Sequence, residues 1–79
     1  MTVDQVLNSN SWTYGEKAIV KWQFHLHGNF FTALFEAFTR ADEKNLYGLS
    51  LGFPQEIEAL REWRYGSLAK RLREAGLEI

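Results

Sequence analysis

Residues 30–41 read Phe30-Phe31-Thr32-Ala33-Leu34-Phe35-Glu36-Ala37-Phe38-Thr39-Arg40-Ala41. At helical spacing Phe30, Leu34, Phe38 and Ala41 fall on one stripe, and Phe31 with Phe35 fall on a second stripe beside it. Thr32, Glu36, Thr39 and Arg40 are the polar groups left for a wet side. A helix this apolar around its circumference is expected at the centre of a fold. The segment therefore predicts an all-α protein organised around residues 30–41.

Working outward from that helix, Gly28-Asn29 supplies a stop and a cap, with Gly28 left-handed and Asn29 capping the next helix. On the other side, Asp42 can cap a third helix, with Glu43 in its first turn. Leu46 and Leu49 or Ser50 form its apolar side. Gly52 closes it, and a left-handed Gly52 would let Phe53 fold back on Tyr47. Pro54 then suits the first position of a further helix whose stripe is Ile57, Leu60 and Trp63 or Arg64. Gly66-Ser67 is another stop and cap, after which Leu68, Leu72 and Ala75 run to Gly76.

Upstream, Thr13-Tyr14-Gly15-Glu16 has the form of a capping box and opens a candidate helix over 14–27. Val20, Trp22, Phe24 and Leu26 alternate there with Lys21, Gln23, His25 and His27, which is also a strand pattern. A lone strand lacks a partner, so helix is the favoured reading and a strand at 17–27 the alternative. Residues 1–11, with Asn8-Ser9-Asn10-Ser11, read as a flexible or loosely docked arm. The expected architecture is a single domain over 1–79, a compact bundle of four to five short helices.

The 79 residues contain no cysteine, and nine Lys and Arg against ten Asp and Glu give a net charge of −1. A nonspecific nucleic-acid binder would carry a basic excess. There is no apolar run long enough for a membrane span, and the start of the chain lacks the pattern of a signal peptide. The expectation is a cytoplasmic protein.

His25-x-His27 is the nearest approach to a metal motif. On a strand both rings would share a face, whereas on a helix they point about 200° apart, and no further ligands are spaced for zinc. Asp42, Glu43, Glu56, Glu58 and Glu62 stand where helix starts and solvated faces favour acids. No phosphate loop, nucleophile elbow or metalloprotease motif occurs. The reading is a protein without catalytic residues, metal or cofactor.

Two features suggest a binding surface. Arg61, Arg64, Lys70, Arg71 and Arg73 are interleaved with Trp63 and Tyr65, a set that could serve nucleic acid. Glu58, Glu62, Glu74 and Glu78 dilute it, so a salt-laced face is the simpler reading. Twelve aromatic residues exceed what one small core needs, and exposed ones suggest an interface with a protein partner or a second copy. The candidate contact residues are Trp12, Tyr14, Trp63, Arg64, Tyr65, Arg71 and Arg73.

Lys21-Trp22-Gln23-Phe24, the Gly28–Ala37 run, Arg40-Ala41-Asp42 with Asn45, and Gly52-Phe53-Pro54-Gln55-Glu56-Ile57 resemble a group of short proteins of bacteriophages and mobile elements. Their pattern reads as a Trp, a GxFxxALxxAxxxAD helix and a GFPEE corner. The resemblance covers residues 20–65, departs at Gln55, and leaves both ends outside. It describes a scaffold and carries no functional residues. What it implies is context: a small non-enzymatic protein that occupies a surface of a host protein complex, host-defence inhibitors of the anti-CRISPR type among them. The alternatives are a DNA- or RNA-associated regulator using the C-terminal Arg/Lys set, and a homo-oligomeric structural module, a homodimer among the forms it could take.

Overall fold

A computed structural model describes residues 1–79, which form six helices and no strand: α1 (Val3–Leu7), α2 (Tyr14–Gln23), α3 (Asn29–Arg40), α4 (Glu43–Gly52), α5 (Pro54–Tyr65) and α6 (Leu68–Glu74). The radius of gyration is 12.3 Å, close to the roughly 12 Å of a compact chain of this length. The expected all-α bundle is what forms.

Local chemistry explains most of the boundaries. Thr13 and Glu16 make the reciprocal box: the Thr13 hydroxyl accepts from the Glu16 amide at 3.1 Å, and the Glu16 carboxylate accepts from the Thr13 amide at 2.8 Å. Asp42 caps α4 by accepting from the Asn45 amide at 2.8 Å. Pro54 opens α5, where its missing N–H is no loss.

Several expectations need correction. The favoured helix opens at Tyr14 as expected, and the alternative strand at 17–27 does not form. α2 stops at Gln23, and His25 turns the chain with a φ of 57°, which removes the alternation from any sheet. The left-handed residue is thus His25, whereas Gly28 is extended and serves as N-cap of α3. Gly52 is not left-handed either, since Gly76 is the one glycine with positive φ. Phe53 instead meets Phe38 edge-on, ring centroids 6.0 Å apart.

Residues 1–11 were expected to be a loose arm. They carry α1, closed by a second capping box in which Thr2 and Gln5 exchange hydrogen bonds. Val6 of that helix is completely buried, and the N-terminal ammonium donates to the Ala75 carbonyl oxygen at the end of α6. The arm is docked because Val6 enters the core, Val3 and Leu7 pack against it, and α6 offers an orphan carbonyl.

The centre of the fold is also displaced from the expected helix. α2 packs most extensively on α5, supplying Ala18, Ile19 and Val20 against Ile57, Ala59 and Leu60. Gly15 makes this contact close: a side-chain carbon there would lie 2.8 Å from the Gln55 carbonyl carbon and 3.1 Å from the Ala59 Cβ. α3 lies to one side and buries Phe35 and Phe38 fully, leaving Phe30, Ala33 and Ala37 exposed. Leu46 of α4 and Leu68 and Leu72 of α6 complete the core.

Candidate functional site

Of the seven residues singled out in the sequence, the structure brings Trp12 and Arg71 together, and the seven differ in exposure and engagement. Trp12 and Trp63 are half-buried and pack against the core, because each sits where an indole can cover an apolar seam. Tyr14 and Tyr65 are exposed, by 59% and 77%. Arg73 is exposed and makes no ion pair or side-chain hydrogen bond.

Arg64 and Arg71 are already engaged. Arg64 donates through Nη2 to the Thr39 carbonyl oxygen at 3.1 Å, satisfying a carbonyl at the C-terminal end of α3. The Arg71 guanidinium meets the Glu16 carboxylate at 2.7 Å and lies 5.8 Å from the centre of the Trp12 ring. Its Nε also donates to the Ser67 hydroxyl at 3.4 Å. Other basic residues of the C-terminal third are paired too: Arg61 grips Glu43 through both nitrogens at 3.3 and 3.1 Å, and Lys70 lies 3.8 Å from Glu74. A set that reads as a basic stripe in the sequence is, in space, mostly a set of clasps between helices.

Around Glu16 and Arg71 runs an open groove of about 610 Å³ whose charged lining is Glu16, Glu58, Glu62 and Arg71. Burial of the Glu16 carboxylate pushes its pKa up. The hydrogen bond from the Thr13 backbone, and the hydrogen bond and charge of Arg71, outweigh that and hold it below the ordinary glutamate value. Glu62 accepts from the Ser67 amide at 3.3 Å. The remaining carboxylates considered from sequence are dispersed: Asp42 caps α4, Glu43 pairs with Arg61, and Glu56 is buried in the first turn of α5.

His25 and His27 are set apart by the turn between α2 and α3. His27 Nε2 lies 2.9 Å from the Ala18 carbonyl oxygen. A carbonyl only accepts, so Nε2 carries the proton. The ring stacks on Phe31 and Phe35, each with a centroid distance of 5.3 Å, while His25 is exposed.

The surface that the sequence reading missed lies on α4. Tyr47 and Leu51, one turn apart, are 67% and 73% exposed. Gly48 beside them and Gly52 at the helix end have open space above them. α4 turns Leu46 fully inward and Leu49 partly so, which makes it apolar on both sides. The signal was present in the residue order: Leu46, Tyr47, Leu49 and Leu51 cannot all face one way at 100° per residue. Phe30 and Leu26 add exposed apolar groups near the start of α3.

No family model, curated protein or solved structure matches the chain.

Proposed function

We propose that this chain is a small helical protein-binding module whose contact face is the outer side of α4, with Tyr47 and Leu51 as its anchor. The observation that carries the reading is the double-sided apolarity of that helix. A solvated face normally bears charged or polar residues, and here two large apolar side chains, Tyr47 and Leu51, stand exposed on it one turn apart. Tyrosine is enriched among residues that dominate binding energy, and Gly48 lets a partner backbone come close to the helix. The reading is non-catalytic: Arg71, Glu16, Asp42 and Glu43 are spent on caps and ion pairs that hold helices together. The same engagement of Arg61, Arg64, Lys70 and Arg71 weighs against a phosphate-binding role for the C-terminal basic set.

The resemblance to short phage and mobile-element proteins directs the choice of partner source to a bacterial host lysate. The narrower reading, inhibition of a host defence complex, rests on that resemblance alone. The test is affinity capture with mass spectrometry, comparing the unaltered chain with Tyr47→Ser/Leu51→Ser. We expect one partner recovered by the first and lost by the second, with the helical circular dichroism spectrum retained. Equal recovery by both would overturn the assignment of α4. Light scattering on both chains distinguishes a second copy as the partner.

A further inference from the structure

On the side formed by α1, α2 and α3 there is a hollow of about 410 Å³ to which neither α4 nor α5 contributes. We propose that it binds an acidic peptide segment, an apolar side chain entering the hollow while flanking carboxylates meet Lys17 and Lys21. This surface is separate from the α4 face, and the inference stands or falls independently of it.

The hollow exists because Ala18, a small residue, lies between Lys17 and Lys21 on α2, while Leu7, Tyr14 and Phe31 wall the space. His27 holds one edge: its Nε2 is fixed on the Ala18 carbonyl oxygen and its ring is fixed by stacking on Phe31 and Phe35. Lys17 and Lys21 are one helical turn apart, so their ammonium groups flank the same opening. Neither has an acidic side chain within ion-pair distance, and Lys17 is half-buried. The Lys17 stem is partly covered while its ammonium, like that of Lys21, has no internal partner to give up when an external carboxylate arrives. The chain as a whole carries −1, so attraction of an anion here comes from these two side chains and not from the overall charge.

The lining favours carboxylate over phosphate. Phosphate sites typically draw on arginine forks or on free amides at a helix N-terminus. No arginine lines the hollow, and the start of α2 is closed by the reciprocal Thr13–Glu16 cap. Two lysines act as point charges beside an aromatic and aliphatic floor, which suits an acidic segment with one apolar anchor.

The experiment is an amide NMR titration of the full chain with acetyl-Glu-Glu-Phe-Glu-Glu-amide, its Gln-for-Glu counterpart, and adenosine monophosphate. The acidic peptide is expected to shift Lys17, Ala18, Lys21, His27 and Phe31 saturably, and to bind about tenfold more tightly than the Gln peptide. Exposed charge contacts contribute modestly, a few-fold in affinity each. Lys21→Gln should therefore weaken binding roughly threefold and Lys17→Gln/Lys21→Gln about tenfold. Lys70→Gln makes the same change in net charge away from the hollow and should leave affinity within about twofold. If the double variant unfolds, Lys21→Gln decides alone, since that side chain is exposed. No movement of the hollow's amides, or equal binding by the lysine variants, overturns the proposal. So does saturable binding of adenosine monophosphate there without binding of the acidic peptide.

Discussion

The Glu16 carboxylate and the Arg71 guanidinium meet at 2.7 Å, joining the first turn of α2 to α6. The glutamate side chain is only 12% exposed and also closes the cap on Thr13. Its pKa is held below the ordinary glutamate value, so the unfolded chain takes up this proton at a higher pH than the folded one. The stability it contributes is present above the ordinary value of about 4.3 and is lost as pH falls through the depressed folded value. Glu16→Gln keeps a capping-box residue but removes the charge. Thermal melts between neutral and acid pH should show this variant less stable by roughly 1 kcal/mol at pH 7. The difference should close as the pH drops below the ordinary glutamate range, and a constant gap across that window would contradict the assignment.

Gly15 and Gly48 are both helical, yet alanine should act on them in opposite directions. In an open helix interior Gly→Ala stabilises by about 0.5–1 kcal/mol, and Gly48 has open space above it. At Gly15 the added carbon would press on the Gln55 carbonyl and on Ala59, forcing α2 and α5 apart. We expect Gly15→Ala to destabilise by about 1–3 kcal/mol. Urea midpoints of the two variants should fall on either side of the unaltered chain.

The contrast between those glycines shows what was legible in the residue order. Helix starts were readable where a side chain does the capping locally, as at Thr13–Glu16, Asp42 and Pro54. Helix ends marked by glycine were readable too, at Gly52, Gly66 and Gly76, whereas the end of α2 at Gln23 and the helix partners were not. Nothing within residues 12–18 announces that Gly15 faces Gln55, forty positions away, so the central α2–α5 pair stayed hidden behind the more hydrophobic α3. Phe30 made α3 look central, but as the second residue of that helix it lies beyond the edge of the core. The engagement of the binding candidates was hidden for a related reason. Trp and Arg type alone cannot show whether a guanidinium is free or, like those of Arg64 and Arg71, closed on Thr39 or Glu16. α1 was missed because a five-residue helix has too few turns to show a period, although its Thr2–Gln5 box was on view.

His25 bears a φ of 57° as a non-glycine residue, a conformation that costs L-residues roughly 1–2 kcal/mol. Histidine tolerates it better than most. His25→Gly relieves the strain but loosens the unfolded chain, so a modest rise of up to about 1 kcal/mol is expected. His25→Val adds a β-branch at a left-handed position and should lower stability by about 1–2 kcal/mol. The side chain is exposed, so the backbone accounts for both effects, and chemical denaturation of the pair checks it.

Arg64 and Arg73 were equal candidates for partner contact in the sequence, and the fold separates them. Arg64 reaches from the last turn of α5 to the Thr39 carbonyl near the end of α3. Phe38 already anchors that turn of α3 in the core against Phe53, and this hydrogen bond adds a polar tie from α5. A charge-assisted bond to a helix C-terminus at an exposed site is worth about 0.3–1 kcal/mol, and in a domain of this size 1 kcal/mol moves Tm by about 4–8 °C. Arg64→Ala should therefore lower Tm by about 2–6 °C, with increased amide exchange confined to the last turn of α3. Arg73→Ala removes no contact and should stay within about 0.5 kcal/mol of the unaltered chain. If Arg64 instead served a partner and not the fold, its alanine variant would melt like that of Arg73 and fail only in capture.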